Sequence, residues 1–441
     1  MIGGGPAGAS AAAVMARHGA DVVLVERARF PRHHVGESVQ PAAFRLLDLH
    51  LGIGDAIARA GYQRKYGAVY RWGVDDEPWT VLFDRDLTEQ LAELGDGDLH
   101  SRDFDHAWHV DRAHFDALLL DQARGAGVDL RQARVRGPLE REQRVVGVIL
   151  DGPDGPEELE ADWVFDATGQ TALLARHFGV LEQHKDLRSV AAYAYVDGAC
   201  RLPSALNREA TYVVSVPDGW VWWIPLGPDR TSIGLVTSSA ADLPRGEGAW
   251  QRLVAVAEKA GLPLPEGAAA ASPRVRTTRD WSYGVTTRCG PGWTLLGDAG
   301  GFVDPILAGG VDFAIRDGCN AAIAWLEARE APTRAARQAR MVAHGTQAAT
   351  EFRAYLKLAR YWYGNNRSVD GLFWEARRAI PEEVDFVDTP LRAFAYLTSG
   401  EYSADRHFKV FIAWQERRIF QQLGVDKQAL GKAVKALRRR R

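Results

Sequence analysis

A mixed α/β fold is predicted, with a parallel sheet at its start, an antiparallel sheet in its middle and helices at its end. Three stretches predict it. Ile2-Gly3-Gly4-Gly5-Pro6-Ala7-Gly8 leads into an alanine-rich run and then Asp21-Val22-Val23-Leu24-Val25-Glu26. Strong strand patterning runs from Ser189 to about Val236. Residues 330–441 are mostly helical in pattern.

The chain has 441 residues, enough to bury a sizeable core and to form two domains. Its net charge of −3 gives nucleic acid no global attraction. Cys200, Cys289 and Cys319 have no paired spacing, which argues against a disulfide framework and against a zinc or iron–sulfur site; no metal is expected. No signal peptide or run of about 18 apolar residues is visible, so a cytoplasmic protein without membrane association is the expectation. The 14 tryptophans exceed what a core needs and suit an enzyme that handles flat aromatic molecules.

Gly3, Gly5 and Gly8 have the spacing of a dinucleotide-binding turn. The first two let the backbone approach a pyrophosphate, and the third lets the next helix lie close to the sheet. That helix, roughly Ala7 to His18, aims unpaired N–H groups at the phosphates. Glu26 ends the following strand 18 residues past Gly8, where a carboxylate accepts ribose hydroxyls. A strand should precede Gly3, yet only Met1 and Ile2 do, so further N-terminal residues are expected to be missing from this sequence.

Arg27 to Ser38 mixes charge, glycine and proline without apolar periodicity and reads as a loop able to reach back across a cofactor, or as a solvated basic turn. Residues 41–60 read as helical, with Phe44, Leu46, Leu47, Leu51 and Ile53 apolar. Residues 62–73 read as one strand, with Ala68, Tyr70 and Trp72 on one face and Val69 and Arg71 on the other. By residue type alone, Lys65 is a lysine at a strand mouth. Residues 75–107 form a long polar excursion, a lid or substrate border.

Asp111 is the expected N-cap of the helix that follows. Arg112 in its first turn is unusual, because cations favour the other helix end, and an external anion would explain it. Residues 127–157 suit a small antiparallel element with Gly-Pro turns at 137–138, 152–153 and 155–156. Trp163 to Gln170 is a buried strand returning to the nucleotide sheet. The antiparallel middle contains Gly219-Trp220-Val221-Trp222-Trp223-Ile224-Pro225, and a helix over about 247–260 follows. Trp293 to Gly300 is a strand closed by Gly297-Asp298, whose carboxylate is placed to accept a ribityl hydroxyl. Small residues after Pro305 leave bare amides ahead of a helix from Val311 to about Ala328, a site for an anion. The last fifteen residues hold seven positive charges and no acid, as a solvated tail, a docking surface for an acidic partner or, less favoured, a membrane-surface contact.

Four pieces carry a resemblance: Gly3-Gly-Gly-Pro-Ala-Gly8; Phe30-Pro-Arg-His-His-Val-Gly-Glu-Ser38; Arg64-Lys65 followed by Tyr70-Arg-Trp-Gly73; and Trp220-Val-Trp222-Trp-Ile224-Pro225. Together they resemble flavin-dependent halogenases, specifically the branch acting on phenolic or pyrrole rings in natural-product biosynthesis, from Ile2 to about Arg378. The resemblance implies an FAD-binding Rossmann-like fold of the aromatic-hydroxylase type. The implied division is FAD-binding segments 1–74, 108–180 and 281–330, an excursion 75–107, an antiparallel substrate domain 181–280, and a helical region 331–441 with the basic tail.

By the same resemblance, Lys65 is the catalytic lysine. FADH2, dioxygen and chloride would give hypochlorous acid through a C4a-hydroperoxide, and Lys65 would hold it or form a chloramine. Trp220 and Trp222 would wall the passage, with Ile224 and Pro225 keeping substrate off the flavin. Gly3, Gly5, Ala7, Gly8, Glu26, Arg27, Ser38, Arg112 and Asp298 fall on FAD-binding positions, and Ala308-Gly309 on the halide site. A separate flavin reductase and a carrier-bound aromatic substrate are the implied partners.

Two departures stand out. Halogenases commonly have Ser-Gly or Thr-Gly where this chain has Ala308-Gly309. The tryptophan-halogenating branch has a glutamate where Leu307 stands; its loss speaks for an electron-rich phenol or pyrrole and against tryptophan. An FAD-dependent monooxygenase or reductase of the same fold is the alternative, and a flavin-binding protein without catalysis is a third reading.

Overall fold

In a computed structural model the described residues are 1–72, 78–83, 106–187, 189–198, 210–217, 219–238, 246, 248–265, 267–268, 271, 273–279 and 282–364. Helix α1 (Pro6–Arg17) starts with proline at its first position, where a missing N–H costs nothing. Ala7, Ala9, Ala11, Ala12 and Ala13 are buried, and these small side chains let it pack closely on α7 (Gly310–Arg329). A Cβ on Gly318 would lie 2.4 Å from the Ala7 carbonyl oxygen, so only glycine allows this approach.

The parallel sheet forms around the glycine turn. Strand β1 (Val23–Glu26) pairs in parallel with β6 (Asp129–Gln132). Ile2 bridges in parallel to Val25 on one side and to Asp166 of β10 (Val164–Asp166) on the other. Strand β10 pairs in parallel with β19 (Trp293–Leu295), and β18 (Cys289–Gly290) closes the edge. The return of 163–170 to this sheet is as the sequence predicts. Residues 129–132 are a correction, since they join the parallel sheet.

The antiparallel element is β7 (Val135–Arg141), β8 (Arg144–Gly152) and β9 (Gly155–Glu160). Gly137-Pro138 is not a turn: it lies within β7, where the register shifts between Val135 and Gly137. The β7–β8 turn is made by Glu142 and Gln143, both at positive φ.

The predicted helix over 41–60 is two helices, α2 (Pro41–Leu51) and α3 (Gly54–Arg59). Gly52 breaks it in the left-handed region (φ 58°), and the Gly54 N–H donates to Asp48 Oδ1 at 2.7 Å. The single strand expected over 62–73 is likewise two strands within the described residues 62–72. Strand β2 (Gln63–Lys65) pairs with β5 (Ala107–His109), whereas β3 (Gly67–Arg71) joins the large sheet. Asp111 caps α4 (Arg112–Gly125), accepting from the N–H groups of Ala113 and His114.

The large sheet has seven strands. Its order is β16 (Arg276–Arg279), β12 (Val190–Asp197), β15 (Arg230–Thr237), β14 (Gly219–Pro225), β13 (Ala210–Val216), β3 and β4 (Trp79–Leu82). Pairing is antiparallel except between β13 and β3, so a wholly antiparallel sheet drawn from 181–280 alone is corrected. Part of the excursion over 75–107 is therefore strand; residues 73–77 and 84–105 lie outside the described residues. A small ladder joins β11 (Leu181–Gln183) to β17 (Tyr283–Val285).

Alternation separates the sheet's faces. Tyr70, Trp72, Val213, Trp220 and Trp222 form one cluster, which helix α8 (Arg334–Gly364) covers with Leu358 and Trp362. Val69, Val214, Trp223 and Leu235 form the other, packed on Trp250 and Leu253 of α6 (Ala249–Lys259). Burying each large side chain stabilises by about 1.5–3 kcal/mol relative to exposure. Residues 365–441, including Phe373, Trp374 and the basic tail, lie outside the described residues.

Candidate functional site

A cavity of about 690 Å³ is bordered by the glycine turn, the first turn of α7 and the inner face of the large sheet. Gly3, Gly5, Ala7, Glu26, Arg27, Ser38, Lys65, Arg112, Trp220, Trp222, Ile224, Asp298 and Ala308 line it. Gly8, Pro225 and Gly309 are not among its lining residues. Gly8 instead sets the helix against the turn, since a Cβ there would lie 2.0 Å from the Gly3 carbonyl oxygen. A Cβ on Gly309 would meet the Tyr355 ring at 3.1 Å. Pro225 ends β14 opposite Thr231.

The glycine end fits a dinucleotide such as the implied FAD. Gly3 has φ +96°, and a Cβ there would lie 2.4 Å from the Ala167 carbonyl oxygen. A Cβ on Gly5 would stand 3.3 Å from Arg32 Nη2, so bare backbone and a guanidinium face the same space, a donor set suited to a pyrophosphate. Arg32 lies in the Phe30–Ser38 piece that carries the resemblance, although the sequence did not name it as a cofactor-binding residue. Glu26 accepts the Gly4 N–H at 2.7 Å on Oε2 and the Ala28 N–H at 2.6 Å on Oε1. Each oxygen keeps a further acceptor position for a ribose hydroxyl.

Arg112 corrects an expectation. Its cation is met from within the chain: Nε and Nη2 donate to Asp116 at 2.8 and 3.0 Å, and Nη1 donates to the Val35 carbonyl at 2.6 Å. An external anion is not needed to explain it, although the residue still lines the cavity. Ser38 also lines the cavity, but its hydroxyl bonds that of Thr211 at 2.7 Å, which meets His109 Nε2 at 2.9 Å. Nearby, the Tyr195 hydroxyl donates to Glu37, and burial pushes the Glu37 carboxyl up from its ordinary range. Burial likewise pushes Asp298 up to about 7, opposed by Arg112 and Arg288.

Lys65 is 1% exposed at the end of β2, so the strand-mouth reading misses its burial. Its Nζ donates to the Val39 carbonyl at 3.3 Å and to Gln40 Oε1 at 3.2 Å, and stands 5.1 Å from the Phe83 ring centroid. Burial pulls its pKa down to about 7, with the Asp312 charge opposing. An amine at that value offers both protonation states near neutrality, which suits a group that donates, accepts or attacks.

Trp220 and Trp222 of β14 wall the same cavity, with ring centroids 5.9 Å apart. Trp220 Nε1 donates to the Tyr363 hydroxyl at 2.7 Å, which donates to Asp304 Oδ1 at 2.8 Å. Trp222 Nε1 donates to Ser232 Oγ at 3.1 Å. Ala308 is left-handed (φ 50°), and its N–H donates to the Pro305 carbonyl at 2.8 Å. That amide is thus committed to the turn. Gln40, Phe83, Tyr193 and Thr211 also line the cavity without having been marked by sequence, as does Tyr70, which the sequence placed in a family piece but not in a site. The alternation of β3 and β12 was the signal for Tyr70 and Tyr193.

Among the described residues, no group of three or more His, Cys, Asp or Glu could hold a metal ion, and no helix is long and apolar enough to cross a membrane.

The protein-family model described as tryptophan halogenase matches residues 1–95 and 88–415. A Tryptophan 2-halogenase of Chondromyces crocatus is 34% identical over 73% of this chain and 59% of its own length. The chain therefore spans less than two thirds of that relative. A 1H-pyrrole-2-carbonyl-[peptidyl-carrier protein] chlorinase of Pseudomonas fluorescens is 31% identical over 71% of this chain and 72% of its own. Among solved structures, the myxobacterial chondrochloren halogenase CndH, described as a variant of FAD-dependent halogenases, superposes with TM-score 0.71 and 27% identity. It covers 90% of this chain and 95% of its own.

Proposed function

The chain belongs to the flavin-dependent halogenase family, and on that premise we propose that it halogenates an electron-rich aromatic or heteroaromatic ring. The single observation that carries this reading is the buried Lys65 amine, with a pKa near 7, sharing one cavity with the glycine turn. When bound, FADH2 would supply the two electrons that activate dioxygen, the oxidant, so that with halide and a proton the products are hypohalous acid, water and FAD.

This chain's residues do the rest. The glycine turn, Glu26, Arg27, Ser38, Arg112 and Asp298 hold the cofactor, with segments 1–74, 108–180 and 281–330 contributing. Protonated, Lys65 donates a hydrogen bond to the hypohalous oxygen. Neutral, its lone pair attacks the halogen; an N–X bond forms, the O–X bond breaks, and water leaves with the amine proton. The ring then takes the halogen and loses its proton, and the amine is restored. Trp220, Trp222, Ile224 and Pro225 confine the oxidant on the way.

The halide, chloride or bromide, is assigned to the Ala308-Gly309 turn, where a small side chain leaves space. A separate flavin reductase is the source of FADH2. The substrate is offered free or on a carrier protein; one named relative is a chlorinase of a pyrrole-2-carbonyl group on a peptidyl-carrier protein. One observation favours a second reading: Ala308 has no hydroxyl and its N–H is already used, which a hydroxylating monooxygenase of this fold tolerates.

Mass spectrometry of a reaction with FAD, a flavin reductase, NADH, halide and a substrate panel decides between them. The panel holds phenols, pyrroles and tryptophan, each free and as a carrier thioester where one can be made. A product about 34 mass units heavier, with the chlorine isotope pair and lost in Lys65→Ala, is expected. A gain of about 16 mass units that survives Lys65→Ala sinks the halogenase reading.

A further inference from the structure

Gln40 precedes Pro41 at the start of α2, and its side chain is buried against the cavity. Its Nε2 donates to the Leu307 carbonyl at 3.0 Å, and its Oε1 accepts from Lys65 Nζ at 3.2 Å. A carbonyl only accepts, so the Leu307 contact settles which end of the amide faces which partner. Oε1 is thereby aimed at the lysine. The second acceptor of the amine is the Val39 carbonyl at 3.3 Å.

A neutral amine has two N–H groups and one lone pair. Two fixed acceptors take both N–H groups and leave one tetrahedral position, which holds the lone pair of the neutral amine or the third N–H of the ammonium. We propose that Gln40 is a positioning residue, locked by the Leu307 carbonyl, that aims this remaining position of Lys65 into the cavity. It also ties Lys65 to the Pro305–Leu307 turn that precedes Ala308. The inference rests on the reading that Lys65 receives the hypohalous acid.

The charged and titratable groups set around the amine are Asp312, in the first turn of α7, and His109, at the end of β5. Gln40 adds orientation without charge, which a glutamate of similar size would not. A carboxylate at this position would favour the ammonium and would lose the hydrogen bond to Leu307. A leucine would remove the acceptor and disfavour the ammonium further.

The test uses the full chain with FAD bound, as wild type, Gln40→Glu, Gln40→Leu and Lys65→Ala. The Lys65 Cε signal of [13C]lysine-labelled protein is followed against pH without turnover, assigned by its absence in Lys65→Ala. Product, and hypohalous acid trapped by monochlorodimedone, are measured in parallel, with FAD Kd and thermal unfolding as structural controls. The midpoint is expected to rise by about one pH unit or more in Gln40→Glu and to fall in Gln40→Leu. Product in Gln40→Leu should drop by about tenfold or more while trapped oxidant rises, with FAD Kd within about twofold of wild type.

Midpoints unchanged in both variants, or losses that only track FAD affinity and melting temperature, would overturn the proposal alone. Product from Lys65→Ala would overturn the reading beneath it as well. The two failures are distinguishable, because the titration needs no turnover.

Discussion

Lys65 shows how burial turns an ordinary residue into a reactive one. The unfolded chain holds its amine near 10.5, and the folded cavity near 7. The unfolded state therefore binds more protons between these values, and stability rises with pH across that window. The cost of burying the amine is complete below about pH 7 and vanishes as pH rises toward 10.5. Lys65→Met should accordingly stabilise the protein by a few kcal/mol at neutral pH and by almost nothing near pH 10.5. Urea unfolding of both proteins across that range measures this; a gain that grows with pH would show the sign to be wrong.

At the scale of the element, β14 depends on its neighbour. Trp222 is paired with Gly234 of β15, and its indole lies across that glycine: a Cβ there would come within 2.2 Å of ring carbon Cζ2. The missing side chain is what lets the indole lie flat against the sheet while its Nε1 reaches Ser232. Gly234→Ala should push the ring toward the cavity and destabilise by about 1–3 kcal/mol. A shift in tryptophan emission together with a lower urea midpoint is the expected result. An unchanged midpoint would mean that the ring moves aside without penalty.

Across the whole molecule, buried charge joins the cofactor-side helix to the helix that covers the large sheet. Arg316 of α7 donates to Glu351 of α8 at 2.7 Å and to Asp312 at 3.3 Å, with its side chain fully buried. Burial alone would pull the guanidinium down, and the Asp312 and Glu351 charges more than offset this and hold it above its usual range. Removing one member of such a group leaves the others buried without compensation, so Arg316→Met should cost about 3–5 kcal/mol. Combining it with Asp312→Asn and Glu351→Gln should recover part of that loss. Thermal and urea unfolding of the single and triple variants test the pair of expectations.

The local features were legible in sequence because their causes are local. Glycine spacing announces a turn that only glycine can make, Asp111 caps the helix beginning beside it, and period-two alternation in β3 and β14 sorts Tyr70 and Trp222 from Val69 and Trp223. The family resemblance singled out Lys65 through its neighbours in the chain. What decides that residue's chemistry is not local. Its acceptors come from residues 39 and 40, on another segment, and Asp312 is remote in sequence. Arg112 makes the same point from the other side: sequence marked an uncompensated cation, and the helix itself supplied Asp116 one turn on. Residue type and spacing determine which groups a chain carries and which short elements they build. Proton affinity, hydrogen-bond direction and access depend on desolvation and on partners from distant segments, and only the tertiary structure brings those together.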